Sequence, residues 1–104
     1  MFYFNGTKHW IDVNKRNAIY HICDLLEKDG TETYSLWVDN EPVSLPISTV
    51  KNFLADLEKY AKSCYDTTAS HAANIQNLKK IEDILKYNVT TGYPIAIELN
   101  TYTD

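Results

Sequence analysis

The stretch Ser48–Leu85, STVKNFLADLEKYAKSCYDTTASHAANIQNLKKIEDIL, decides the fold. Within it Val50, Leu54, Leu57, Ala61, Cys64, Thr68, His71, Ile75 and Leu78 follow one another at alternating steps of four and three. That spacing keeps one seam of an α-helix facing a partner surface. From Ser48 to Tyr65 the seam is broad, because Phe53, Tyr60 and Tyr65 flank it, and such breadth suits a helix lying on a sheet. From Asp66 to Asn77 it narrows: Thr67, Thr68, Ala69, Ser70, Ala72 and Ala73 are small, and helix propensity dips at the two threonines. Either the helix runs on, or it breaks at Asp66-Thr67-Thr68 and a second begins with Asp66 as cap. The seam keeps phase across the dip. The spacing therefore predicts one continuous or gently bent helix over about residues 48–78, capped by the Ser48 side chain.

Upstream, Phe2-Tyr3-Phe4 and Lys8 to Ile11 flank Asn5-Gly6, a strong two-residue hairpin signal. Asp12 or Asn14 can cap a helix over about residues 15–28, whose apolar positions Ala18, Ile19, Ile22, Cys23, Leu25 and Leu26 recur at helical spacing. Gly30 is its expected stop. Thr33 to Val38 reads as a strand, Asp39-Asn40-Glu41-Pro42 as a turn, and Val43 to Leu45 as the returning arm. Pro42 and Pro46 put that arm at a sheet edge. Downstream, Leu78, Ile81, Ile84 and Leu85 suggest a short helical segment, Asn88 to Gly92 a loop, and Ile95 to Leu99 a final strand. The polar tail Asn100 to Asp104 is expected to fray. The expected class is α+β in a single domain over residues 1–104: short antiparallel strands packed with one long and one shorter helix.

The charge balance excludes some functions. Ten Lys and Arg stand against fourteen Asp and Glu, a net charge of −4, and no basic cluster exists for nucleic acid. No apolar run is long enough to cross a membrane, and the opening MFYFNGTKHW has no basic-then-apolar signal pattern. The expected location is the cytosol, unless the protein leaves inside a larger particle, with Cys23 and Cys64 reduced.

No complete catalytic motif is present, and the chain reads as non-enzymatic, without cofactor or metal. Cys64 and His71 share a face, but seven residues of helix separate them by roughly 10 Å, too far for a nucleophile–base pair. His21-Ile22-Cys23 is not a common zinc spacing. The three glycines, at 6, 30 and 92, form no phosphate loop. His71 reads most simply as a half-buried histidine bonded to a backbone or hydroxyl group. The narrow half of the seam has two readings. It packs on the chain's own strands and first helix, or it docks a second copy or another protein, since small residues allow close helix approach. On the second reading the contact residues are Tyr65, Thr68, His71, Ile75, Leu78 and Tyr93.

The run Leu57-Glu58-Lys59-Tyr60-Ala61, then Cys64-Tyr65-Asp66-Thr67-Thr68, His71, Ile75, Leu78, Ile81, Ile84, Tyr87 and Thr91-Gly92-Tyr93-Pro94 resembles small bacteriophage and prophage proteins. Those proteins are encoded near tail or other virion genes. A Cys-Tyr-Asp-x-Thr-x-x-His helix and a Tyr-Pro turn before the last strand carry the likeness, which covers the C-terminal half. It implies no catalytic residue. It implies a phage virion structural or assembly protein that works by contacts with itself or with other virion proteins. The alternative is a small cytosolic inhibitor or regulator that binds a host protein.

Overall fold

The computed structural model describes residues 1–103. Two strands, β1 (Phe2–Phe4) and β2 (Thr7–His9), form the opening antiparallel hairpin, with Asn5 and Gly6 both at positive φ in the turn. Helix α1 (Val13–Lys28) follows. Its first turn is capped by Asp12, whose Oδ1 accepts from the Lys15 N–H at 2.8 Å. Its end closes in a Schellman arrangement: the Gly30 N–H donates to Glu27 O and the Thr31 N–H to Leu26 O. Gly30 makes this possible by taking φ +80.

A second antiparallel hairpin comes next, β3 (Thr33–Val38) with β4 (Glu41–Pro46). Its turn is tighter than the sequence suggests. Asp39 and Asn40 alone make the reversal, at φ 52 and 64, so β4 starts at Glu41 and Pro42 lies within it, opposite Trp37. Aspartate and asparagine tolerate this left-handed region better than other non-glycine residues.

Helix α2 (Ile47–Asn77) is 31 residues long and unbroken through residues 66–70. It leaves β4 with no loop. The expected Ser48 cap is not used. Pro46 occupies the cap position at φ −55, no side chain bonds the free N–H groups, and Ser48 falls inside the first turn. The Ile47 N–H is satisfied instead by Glu32 O at 2.9 Å. After an extended step at Leu78 the chain forms α3 (Ile81–Lys86) and then a loop.

It returns to the start of the molecule as β5 (Ile97–Glu98), shorter than the expected strand and parallel to β1. The sheet order is β2-β1-β5. Against expectation the tail is held to Thr103. Leu99–Tyr102 forms a 3₁₀ turn, and the Tyr102 hydroxyl donates to Asp56 of α2. Asn100 bonds both the backbone and the side chain of Asn5 at 2.8 Å. Asp104 lies outside the described residues.

The core gathers Phe2, Ile19, Cys23, Leu36, Val38, Leu45 and Leu99 around Ile47, Val50, Phe53, Leu54 and Leu57 of α2. Phe53 is its centre, edge-on to Phe2 and to Tyr102 with ring centroids 5.1 Å apart in each pair. Two cations clasp α1 to α2. Lys51 of α2 pairs with Asp24 and, at 2.6 Å, with Glu27. Arg16 is buried; its Nε donates to Glu58 Oε1 at 2.7 Å and its Nη1 to Ile11 O at 2.6 Å, with Trp10 stacked on the guanidinium.

The broad half of the seam does not stay buried as far as Cys64. No α2 residue beyond Leu57 is buried, and Ala61 and Cys64 are only half-covered. The remainder of α2 runs out of the core as an arm. The extents, 61 × 27 × 20 Å, and the radius of gyration, 18.1 Å, record this. A compact chain of this length would have a radius near 13 Å, roughly. The protein is thus α+β, with short strands, one long helix and one shorter one.

Candidate functional site

The arm consists of the second half of α2, α3 and the loop that follows. Thr67, Thr68, His71 and Asn74 succeed one another along one face of the helix, at the spacing that stacks side chains over successive turns. The returning loop, residues 87–93, lies across that face as a strap. His71 is its main anchor. A carbonyl can only accept, so Nε2–H donates to Thr91 O at 2.7 Å, and Nδ1 of the neutral ring accepts from the Tyr87 hydroxyl at 2.7 Å. Tyr87 in turn accepts from Asn74 Nδ2 at 2.9 Å. The hydroxyls of Thr68 and Tyr93 share a hydrogen bond of 2.7 Å, and Thr67 Oγ1 donates to Gly92 O at 3.1 Å. The rings of Tyr87 and Tyr93 pack on the imidazole at centroid distances of 5.3 and 5.8 Å. Gly92 passes so close that a Cβ there would lie 3.4 Å from Thr67 Cγ2, and its φ of +84 is one that side chains resist.

The structure therefore brings Thr68, His71 and Tyr93 together, and it spends their polar groups within the chain. His71 is a half-buried histidine bonded to a hydroxyl and a carbonyl. Ile75 and Leu78, farther out, are half-buried, and Leu78 ends the helix. Tyr65 stands apart. It is 70% exposed, with Lys62 over its ring and Lys62 Nζ held by Asp66 at 2.6 Å. That hydrogen bond raises the lysine above its ordinary pKa.

The most accessible apolar groups of the arm lie past the residues singled out in sequence. Ile81 is 75% and Leu85 80% exposed, and Ile84 is also exposed. These three stand at i, i+3 and i+4 of α3, one face of a helix; among the described residues Ile81 and Leu85 are left largely uncovered and Ile84 partly so. Ile95, just after the strap, is 93% exposed. The spacing of Ile81, Ile84 and Leu85 was visible in the sequence as a helical pattern. What it could not reveal is that Ile81 and Leu85 are left largely without intramolecular cover.

No protein-family model matches the chain, and no curated protein and no solved structure matches it either. Among the described residues, no helix is long and apolar enough to cross a membrane.

Proposed function

We propose that this chain is a non-enzymatic interaction protein that acts through its helical arm, by association with a second copy or by docking on a larger assembly. The carrying observation is the uncovered Ile81–Ile84–Leu85 face at the far end of an arm that the core does not need. Contiguous apolar surface on an otherwise polar element marks contact sites. Burying one such side chain contributes roughly 1.5–3 kcal/mol, so a pair of such faces supports association. The strap supports this reading as well, because it stiffens the arm before any partner arrives and so lowers the entropic cost of binding.

Local charge favours a second copy. Lys79-Lys80-Ile81-Glu82-Asp83 reverses sign about Ile81, so an antiparallel copy related by a two-fold axis there sets basic residues opposite acidic ones. The resemblance of the C-terminal half to phage and prophage proteins supports a virion as the setting. Neither nucleic acid nor membrane enters this proposal.

The test pairs the wild-type chain with an Ile81→Asp/Leu85→Asp variant. Light scattering should show the wild type larger than a monomer, or a virion lysate should contain a protein it retains. The variant should lose that association with an unchanged circular dichroism spectrum. A strictly monomeric wild type that binds nothing in a virion lysate overturns the proposal. Capture of a host enzyme as main partner from infected cells would instead favour an inhibitor.

A further inference from the structure

A second feature lies on the core side of the arm, where β2 and the middle of α2 diverge and leave a groove of about 570 Å³. That volume falls within the roughly 300–1,000 Å³ of ordinary small-molecule sites. Its lining is mostly apolar and aromatic, with Trp10, Tyr60, Met1 and Ala61 contributing. Trp10 is held in position from behind by the buried Arg16 guanidinium, 4.8 Å from its ring centroid, so this wall is pre-formed.

The polar groups are few. Among the described residues no carboxylate lines the groove, although the chain carries fourteen acidic residues against ten Lys and Arg. Lys8 stands at the groove and, like most of the lysines, forms no ion pair among the described residues. His9, another basic group of the lining, approaches Asp39 through Nε2 at 3.7 Å. The Tyr60 phenol is pushed up by burial and by the neighbouring Cys64 thiol, so its O–H keeps its proton at neutral pH. An apolar trough in an acidic protein is thus lined by Lys8, which forms no ion pair among the described residues, and by Tyr60, which carries a hydroxyl.

We propose that this groove binds a small amphipathic anion, an acyl or aromatic body with a carboxylate head, the body lying between Trp10 and Tyr60 and the head on Lys8. A carboxylate accepts charge-assisted hydrogen bonds from an ammonium group and supplies the negative charge that the lining lacks. The site uses none of Ile81, Ile84 or Leu85, so its test stands apart from that of the arm.

The test uses the full chain carrying Trp37→Phe, which leaves Trp10 as the only tryptophan emitter. Free decanoate below its micellar range is the probe, followed by calorimetry and by Trp10 emission. The expected result is saturable one-to-one binding with a shift of that emission. Lys8→Glu should weaken it at least about tenfold, as should replacement of decanoate by decanol. Ala61→Phe should fill the groove and abolish binding; if that variant does not fold, the Lys8→Glu comparison decides. The proposal is overturned by absence of saturable binding, by equal binding of decanol, or by affinity indifferent to Lys8→Glu. Retention on phosphatidylglycerol vesicles without binding of free decanoate would assign the groove to a lipid surface and overturn it as well.

Discussion

Leu57 and Ile75 occupy equivalent places on one seam of one helix, yet their truncation should have unequal consequences. Leu57 is fully buried among core side chains, so Leu57→Ala removes transfer energy and leaves a cavity. The expected cost is about 2–5 kcal/mol, against a total stability of roughly 5–15 kcal/mol for a chain this size. Ile75 is half-covered, in the arm, beyond the last buried residue of α2. Ile75→Ala forfeits only about half of the ~1.5–3 kcal/mol of a fully buried aliphatic side chain, near 1 kcal/mol, and the open site adds no closed cavity. Urea unfolding followed by circular dichroism reads the difference. With a slope of roughly 1–3 kcal/mol per molar, Leu57→Ala should lower the midpoint by about 1 M or more and Ile75→Ala by a few tenths. Equal shifts, or a larger one for Ile75→Ala, would refute the division of α2 into a core half and an arm.

Two further expectations follow from particular contacts. His71→Ala removes two hydrogen bonds, leaving the Tyr87 hydroxyl with Asn74 alone and the Thr91 carbonyl without its imidazole donor, a local loss of about 1–3 kcal/mol in all. Hydrogen exchange should accelerate across residues 87–93 and stay unchanged in β3; uniform acceleration would mean that the strap is not a separate unit. Tyr102 is pushed up to about 12 from 10.0 by burial and by its hydrogen bond to Asp56. Its folded state holds the proton more tightly than the unfolded chain. The stability it contributes is therefore complete below about pH 10 and is lost as pH rises through about 12. Tyr102→Phe should flatten that alkaline fall in the urea midpoint, and an unchanged fall would assign it to the other buried tyrosines, Tyr34 and Tyr60, which shift in the same direction.

Much of the framework was legible because it is local. The Asn5-Gly6 turn, the Asp12 cap, the Gly30 stop and the phase of the long seam depend on residues a few positions apart, and all four are present. The helix runs through Thr67-Thr68 because two weak helix formers cost little against a seam that keeps its phase on either side. The misreadings share a different cause. Ser48 is a good cap in isolation, but β4 runs straight into α2 and sets the helix start one residue earlier. The tail is polar and yet held, since Tyr102 and Asn100 meet partners 46 and 95 residues away.

The candidate site divides along the same line. Sequence by itself determined that α2 is long, that its second half is narrow and small, and that Ile81, Ile84 and Leu85 share a face. Side-chain period and size fix these properties whatever surrounds them. Only the tertiary structure decided what covers each face. Thr68 and His71 would have the same spacing whether a partner or the chain's own residues 87–93 lay on them, and the Gly92 approach and the Tyr87 and Tyr93 hydroxyls made it the latter. The core ends at Leu57 for a similar reason. The short hairpins and α1 bury no residue of α2 beyond Leu57, β2 only lines an open groove with Tyr60, Ala61 and Cys64, and the most exposed apolar side chains of α2 and α3 fall on α3. Periodicity reports which side of a helix seeks cover; contacts distant in sequence supply that cover or withhold it.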